Sequence, residues 1–350
     1  MDNVFIDVPL VELKSQYLSM KLKVDEAISR FLHSGSYVMG EEVKAFEREW
    51  ADYCGMRHCV GVSSGTDALY LALKAVCIDP RVVTTPLTFF ATTQAIIQSG
   101  NYPSFVDVDE SGNLPPYDFG SKVAVPVHLY GRPGSWKGEN LIEDCAQVHG
   151  YKPTGRAACF SFYPTKNLGA MGQAGAIVTD DGILAHKLRE MRTYGERERF
   201  VHYGLTGNLR MDEIQAAILR VKLPHLDLWN NQRRARAGIY GELLSSVSDV
   251  IKLPEDHPDH VYHIYAIRCK DRDSLAKYLK GQGIQTAVRY PLPMHLQPAL
   301  EYLGYSKGNF PQAEAWAEEN LSLPMYPELT VNQINYVCSE VKKWVGARGK

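Results

Sequence analysis

The sequence predicts an α/β protein: a mostly parallel sheet wrapped by helices, followed by a smaller C-terminal α/β domain. Three observations predict it. Short apolar or β-branched runs alternate with helix-spaced segments from residue 58 to Asp144, the pattern of successive strand–helix units. One run, Val123-Ala124-Val125-Pro126-Val127-His128-Leu129, is nearly continuously apolar, as expected of a strand covered on both faces. Gly65, Thr66, Phe89, Asp144 and Gln147 all fall just beyond such runs, and ligands of parallel sheets bind beyond the carboxyl ends of the strands.

Residues 11–33 carry Leu13, Tyr17, Met20, Val24, Ile28 and Phe31 at helical spacing, and Ser34-Gly35-Ser36 ends that helix. A second helix over 41–53 presents Val43, Phe46 and Trp50 on one face. A strand at 58–62 enters Ser63-Ser64-Gly65-Thr66-Asp67 and a helix over 68–76. Free N–H groups and the positive end of the helix dipole meet at such a turn, the outline of an anion site. Capping by Thr66 or Asp67 explains the same residues. A strand at 81–85 is turned by Pro86-Leu87-Thr88-Phe89-Phe90 into a helix over 91–98. An aromatic in this loop can stack on a planar ligand, while core packing accounts for at least one of Phe89 and Phe90. Strands are expected at 102–108 and 122–130, and the apolar run from Leu141 ends in Glu143-Asp144.

Residues 157–163 then deliver a single lysine into the turn Ser161-Phe162-Tyr163-Pro164-Thr165-Lys166-Asn167-Leu168-Gly169, and a strand over 174–179 leads away. Where burial and a nearby cation disfavour its ammonium, such a lysine loses its proton near neutral pH and can form a Schiff base with an aldehyde. A lone loop lysine is usually just solvated. Asp144 changes the reading: a lysine and a carboxylate are the pair that pyridoxal phosphate requires, one for the Schiff base and the other to keep the pyridinium nitrogen protonated. The glycines at 169, 172 and 175 are spaced GxxGxxG and precede a strand, which disfavours a dinucleotide site.

Beyond this turn, helices are expected at 184–194 and 214–222, the latter capped by the polar loop 204–213, with a connecting helix over 224–236. A helix at 239–244, a strand at 260–269, a helix at 274–281 and a strand at 286–290 follow. The proline-punctuated loop 291–298 makes His295 a candidate lid or substrate wall, or a hydrogen-bonded surface histidine, and two more helices complete the chain. The expected division is a large domain over 1–236 and a small one over 237–350.

With 350 residues, 45% hydrophobic, 22% charged and a formal net charge of -2, the composition is that of an ordinary soluble globular protein. It gives no electrostatic reason to expect nucleic acid or an anionic membrane as partner. Seven dispersed cysteines without a CxxC pair argue against a disulfide framework and a zinc site, and no metal is expected. The acidic start Met1-Asp2-Asn3-Val4-Phe5-Ile6-Asp7 does not read as a signal peptide, and no run approaches the roughly 20 apolar residues of a membrane span. A cytoplasmic location is expected.

With these residues assembled, the sequence resembles the DegT/StrS-type nucleotide-sugar aminotransferases of the aspartate-aminotransferase (fold type I) superfamily, over nearly the whole chain. The resemblance rests on Ser64-Gly65-Thr66-Asp67-Ala68-Leu69, Thr88-Phe89, Glu143-Asp144-Cys145-Ala146-Gln147, the Ser161–Gly169 turn and Gly207-Asn208-Leu209-Arg210-Met211-Asp212-Glu213, with His295-Leu296-Gln297 in support. It implies a three-layer fold around a mostly parallel seven-stranded sheet. It implies Lys166 as Schiff-base lysine and acid/base, Asp144 at the pyridinium nitrogen, Gln147 near the phenolic oxygen and Phe89 stacked on the ring. Gly65, Thr66 and Ser161 would hold the phosphate, Tyr163 and His295 would face the substrate, and Asn208 would reach the neighbouring subunit's phosphate in a homodimer with composite sites.

The implied reaction passes an amino group from L-glutamate to a keto sugar carried on a nucleoside diphosphate. The Ser161–Gly169 form is similar to enzymes that aminate C3, with C4 amination or a PLP-binding regulator or sensor as alternatives. A related sugar dehydratase would carry histidine in place of Lys166. Three features depart from the family pattern: segments 78–81, 111–121 and 135–139 look shortened, Gln173-Ala174 replaces an acidic-Gly pair, and Arg132 replaces an uncharged polar residue.

Overall fold

The computed structural model describes residues 7–76 and 80–348. The first six residues, considered above for a signal peptide, Cys77, and the start of the shortened segment 78–81 lie outside the described residues.

Helices α1 (Leu13–Ser34) and α2 (Glu41–Cys54) lead into β1 (His58–Val62) and α3 (Gly65–Val76). There follow β2 (Arg81–Thr84), α4 (Phe90–Gln98), β3 (Tyr102–Phe105), β4 (Val123–Ala124), β5 (Asn140–Asp144), β6 (Ala157–Ser161) and β7 (Gly175–Thr179). These seven strands form one sheet in the order β1-β7-β6-β5-β4-β2-β3. From β3 to β6 every pairing is parallel, while β7 runs antiparallel to both β6 and β1. The α/β class and the mostly parallel sheet are therefore as the sequence predicts.

Several strands are shorter than expected, each for a local reason. The run over 122–130 pairs as a strand only at Val123–Ala124: Pro126 has no N–H to give, and the chain turns at Tyr130 with a φ of 60°. The run over 102–108 stops at Phe105 because the Asp107 carboxylate turns away to accept the N–H groups of Gln312 and Ala313, each at 2.9 Å. Between β3 and β5 no α-helix occurs among the described residues, although parallel neighbours usually depend on a crossover helix to bury the sheet face. Leu114, Phe119 and Trp136 from the irregular crossovers take over that duty, packing against Ala124 and Leu141. Those side chains come from two of the segments that the sequence marks as shortened.

Helix α5 (Gly182–Met191), the hairpin β8 (Glu196–Glu198) and β9 (Val201–His202), α6 (Glu213–Lys222) and α7 (Leu226–Leu244) come next. The expected helices at 224–236 and 239–244 are one continuous helix, so residue 236 lies inside α7. Leu226 and Trp229 of α7 pack in the core beneath the large sheet, whereas Ala237, Tyr240 and Leu244 pack in the C-terminal core. That second core is built on β10 (Tyr265–Arg268) paired antiparallel with β11 (Asn320–Leu323), and on α8 (Arg272–Gly281), α9 (Pro311–Glu319) and α10 (Val331–Gly346).

The strand β11 is not anticipated by the sequence, because its apolar pair Leu321 and Leu323 is too short a run between α9 and Pro324. The expected strand over 286–290 reduces to a single bridge, Ala287 to Ser322, and the expected strand over 260–269 begins only at Tyr265. A further apolar cluster joins Leu87 and Phe105 from the sheet side to Ile264, Met294, Phe310 and Trp316. It forms the seam beside which the candidate site opens.

Candidate active site

Tyr163-Pro164-Thr165-Lys166 closes a β-turn in which Lys166 N–H donates to the Tyr163 carbonyl at 2.8 Å, with proline at the second position where its fixed φ suits the turn. A Cβ at residue 169 would stand 2.2 Å from the Pro164 carbonyl oxygen, so the chain can fold back there only as glycine. The turn is fastened from behind. Leu168 N–H donates to His149 Nδ1 at 3.1 Å, Asn167 Nδ2 donates to Asn230 Oδ1 at 2.8 Å and to the Val261 carbonyl at 2.9 Å, and Lys222 Nζ donates to the Gly169 carbonyl at 2.7 Å. Because it accepts a backbone N–H and is stripped of water, His149 is held neutral, its pKa lowered to about 3 by burial and by the Lys166 charge.

Lys166 sits on the sheet side of a cavity of about 480 Å³, within the range of small-molecule sites. Desolvation lowers its pKa to about 8; the Asp144 carboxylate opposes that shift and the Arg289 guanidinium adds to it. Asp144, at the end of β5, is 6% exposed. Its Oδ2 accepts from Thr92 Oγ1 at 2.9 Å and its Oδ1 from Ala146 N–H at 3.1 Å. Burial nevertheless raises its pKa, so the carboxylate is short of positive partners. Thr88 Oγ1 lies 2.8 Å from Thr92 Oγ1 and completes a hydroxyl chain that leads to the acid.

Gln147 is fixed at both ends of its amide. Its Oε1 accepts Tyr130 N–H at 2.7 Å, and its Nε2 donates to Tyr290 Oη at 3.3 Å. Across the cavity, the start of α3 meets the end of β6 so closely that a Cβ on residue 65 would stand 2.5 Å from Ser161 Cβ. Ser64 Oγ accepts Asp67 N–H at 3.1 Å, so Ser64 is the helix cap rather than Thr66 or Asp67. Thr66 and the N-terminal turn of α3 are left facing the cavity beside Ser161.

The cavity thus brings together Gly65, Thr66, Phe89, Asp144, Gln147, Ser161, Tyr163 and Lys166 of the expected residues. Phe89 is 55% exposed at the rim, 5.6 Å from the Tyr290 ring. Two expected residues are elsewhere. His295 does not line this cavity; it is 2% exposed, with Nε2 at 2.9 Å from Glu314 Oε1 and its ring against Phe310, so the lid or surface-loop expectation is corrected to a buried fastening of α9. Asn208 is exposed, accepts Arg210 Nε at 2.6 Å and is likewise absent from the lining. Thr92, His263, Arg289 and Tyr290 line the cavity without having been anticipated.

These residues fit pyridoxal phosphate on three counts: a lysine with a lowered pKa, a buried acid short of cations, and a helix N-terminus packed on Ser161 with no room for a side chain at 65. The model of the DegT/DnrJ/EryC1/StrS aminotransferase family matches residues 19–342. The chain belongs to this family. It is accordingly an aminotransferase, and aminotransferases of this family use pyridoxal phosphate.

The aminotransferase is 41% identical to the pleiotropic regulatory protein of Geobacillus stearothermophilus, over 97% of this chain and 99% of that one. It is 39% identical to the dTDP-3-amino-3,4,6-trideoxy-alpha-D-glucose transaminase of Streptomyces venezuelae, over 96% of each. The crystal structure of S. venezuelae DesV in complex with a ketimine intermediate superposes with a TM-score of 0.89 at 37% identity, covering 97% of this chain and 98% of that one. The aminotransferase therefore has the fold type I architecture. The Geobacillus alignment runs over 367 positions against 350 residues here, so that relative carries segments this chain lacks. No helix among the described residues is long and apolar enough to cross a membrane.

Proposed function

We propose that the protein aminates C3 of a 3-keto sugar carried on a nucleoside diphosphate, with L-glutamate as amino donor. The observation that carries the reading is the convergence of Lys166, Asp144 and the Gly65–Ser161 cradle on one cavity. The name borne by the Streptomyces venezuelae transaminase supports C3 over C4.

Bound pyridoxal phosphate supplies an aldehyde that joins amines reversibly and a ring that accepts the electrons released when a Cα–H bond breaks. The chain's own residues do the rest. Lys166, with a pKa of about 8, both takes and returns the proton at its Nζ near neutral pH. Asp144 presents a carboxylate to the ring nitrogen, and Thr92 and Ala146 hold that carboxylate in place. Gly65, Thr66 and Ser161 hold the phosphate, Gln147 serves the phenolic oxygen and Phe89 covers a ring face. Tyr163, 46% exposed at the cavity mouth, meets the substrate.

The working form is a cytoplasmic homodimer with its divisions near residues 1–236 and 237–350. Asn208, exposed beside the β8–β9 hairpin, reaches the phosphate of the other copy. The six described cysteines, all buried and unpaired, support a reducing compartment.

The test adds L-glutamate to the purified holoenzyme and follows the cofactor's visible absorbance, then supplies 3-keto and 4-keto nucleotide sugars. Bleaching by glutamate, recovery on adding the 3-keto sugar, and a C3 amine in the product are expected. A C4 amine would replace the position assigned here. Since one relative bears a regulatory name, a sensor is the second reading, and it is the one left if no amino acid changes the spectrum.

A further inference from the structure

His263 lines the cavity beside Lys166, and its neighbours fix which of its ring nitrogens carries the proton. The His149 carbonyl can only accept, so the Asn230 amide presents Nδ2 there, at 2.7 Å, and its Oδ1 faces Asn167. The Val261 carbonyl likewise takes Asn167 Nδ2, which leaves Asn167 Oδ1, an acceptor, 3.2 Å from His263 Nδ1. His263 Nδ1 must then carry the proton, and Nε2 keeps a bare lone pair. That lone pair meets no donor among the described residues, although the residue is only 8% exposed. Burial, together with the Lys166, Arg233 and Arg289 charges, holds the ring neutral, so Nε2 stays an acceptor at working pH. The main chain is held as well, since Arg233 Nη1 donates to the Tyr262 carbonyl at 3.1 Å.

We propose that His263 is a positioning residue whose Nε2 accepts a hydrogen bond from the Lys166 amine and so turns the amine's own lone pair towards the carbon whose proton it moves. The inference rests on the proton-transfer role read for Lys166 above and deepens it. Place favours this donor over a substrate hydroxyl. Asn167, the anchor of His263, directly follows the lysine, and Thr165, which directly precedes it, lines the cavity together with His263. Lys166 Nζ has no hydrogen-bond partner among the described residues, so an unused donor and an unused acceptor share one turn. The other groups near the amine cannot orient it in this way. Asp144 is held by Thr92 and Ala146, Arg289 offers only donors, and His149 Nδ1 is taken by Leu168 N–H. A freely rotating amine points its lone pair at the reacting carbon only part of the time; one fixed N–H removes that freedom.

Two single variants divide the roles of the two ring nitrogens. In His263→Asn the amide stands where Nδ1 stood and keeps the bond to Asn167 without an acceptor for the cavity, whereas in His263→Gln it reaches the Nε2 position and keeps the acceptor. In the cofactor-free full chain, labelling of Lys166 by acetic anhydride is followed against pH by mass spectrometry. A bond from the ammonium to Nε2 favours the charged form, so the Lys166 titration should move to lower pH in His263→Asn and stay at the wild-type position in His263→Gln. In the holoenzyme, stopped-flow absorbance should show His263→Asn slowing the glutamate and keto-sugar half-reactions alike, by about 10-fold in limiting rate with KM within about twofold, and His263→Gln should recover most of the loss. A loss confined to the keto-sugar half-reaction would assign Nε2 to a substrate hydroxyl and overturn the proposal. Normal rates in His263→Asn with a loss in His263→Gln would reduce the ring to a support for Asn167, and an unmoved Lys166 titration would be equally fatal. If glutamate fails to bleach the wild type, the donor reading falls while the labelling still decides this one. If His263→Asn does not fold, heteronuclear NMR of isotope-labelled histidine in the wild type decides instead. Nε2 should carry no proton and its shift should change in Lys166→Met; a protonated Nε2 or an unchanged shift overturns the assignment.

Discussion

Glu213 Oε1 accepts the backbone N–H of Gly40 at 2.6 Å across 173 residues of sequence, and the same carboxylate takes the N–H groups of Glu42 at 2.9 Å and Val43 at 3.3 Å. Helix α2 has no capping side chain at its own N-cap, Gly40; the start of α6 supplies the cap instead. The negative charge also meets the positive end of the α2 dipole. Glu213 is 1% exposed, so no water substitutes for it.

Glu213→Gln keeps the shape but replaces one accepting oxygen with a donor, leaving at least one of the three N–H groups unsatisfied. The expected loss is about 1–2 kcal/mol, the usual cost of a missing cap. A urea titration followed by far-UV circular dichroism measures it, and an unchanged midpoint would show that α2 does not depend on this carboxylate.

Thr92 acts at the site itself, through Asp144. Thr92→Val preserves volume and removes the 2.9 Å donor to Asp144 Oδ2. The acid, already raised by burial, should rise further and hold the cofactor ring nitrogen less firmly. A hydrogen bond to a charged group is worth about 1.5–3 kcal/mol, so kcat/KM for the amino donor should fall about 10–100-fold, and Thr92→Ser should restore most of it. Equal activity of the Val and Ser variants would remove Thr92 from the machinery.

What the sequence discloses about this site is what short stretches encode. The Pro164 turn, Gly169 and the acid after an apolar strand are local signals, and they place Lys166 and Asp144 correctly on the cavity. Thr92 gives no such signal: Ala91-Thr92-Thr93 reads as ordinary helix, and only the crossing of α4 past β5 turns one hydroxyl towards Asp144. Arg289 and Tyr290 belong to a stretch that reads as a plain strand, and long-range folding alone brings them opposite Lys166. His295 misleads in the opposite direction, because a histidine in a proline-rich loop looks exposed until Glu314 and Phe310 close over it. The missing crossover helices leave a legible trace in the shortened segments, but not the device that replaces them, since nothing local shows that Trp136 will cover β4 and β5.

The lysine itself gives the stability of the cofactor-free protein a pH dependence of known sign. Its pKa is about 8 in the fold against 10.5 for an ordinary lysine, so between those values the unfolded chain binds a proton that the folded chain does not. Stability must then rise with pH across that window, and the penalty is fully present below about pH 8. Fully realised, the shift amounts to about 3 kcal/mol, and the measured effect should be smaller because the side chain is only partly buried. Lys222, also lowered to about 8 by burial, contributes in the same direction. Lys166→Met should therefore be more stable than the cofactor-free wild type at about pH 7.5, lose that advantage by about pH 10.5, and retain the share of the slope due to Lys222. Urea midpoints of the two cofactor-free proteins across this range provide the check. Parallel curves would mean that the Lys166 amine is already neutralised in the fold by a partner, and the acid/base role assigned to it would need a different group.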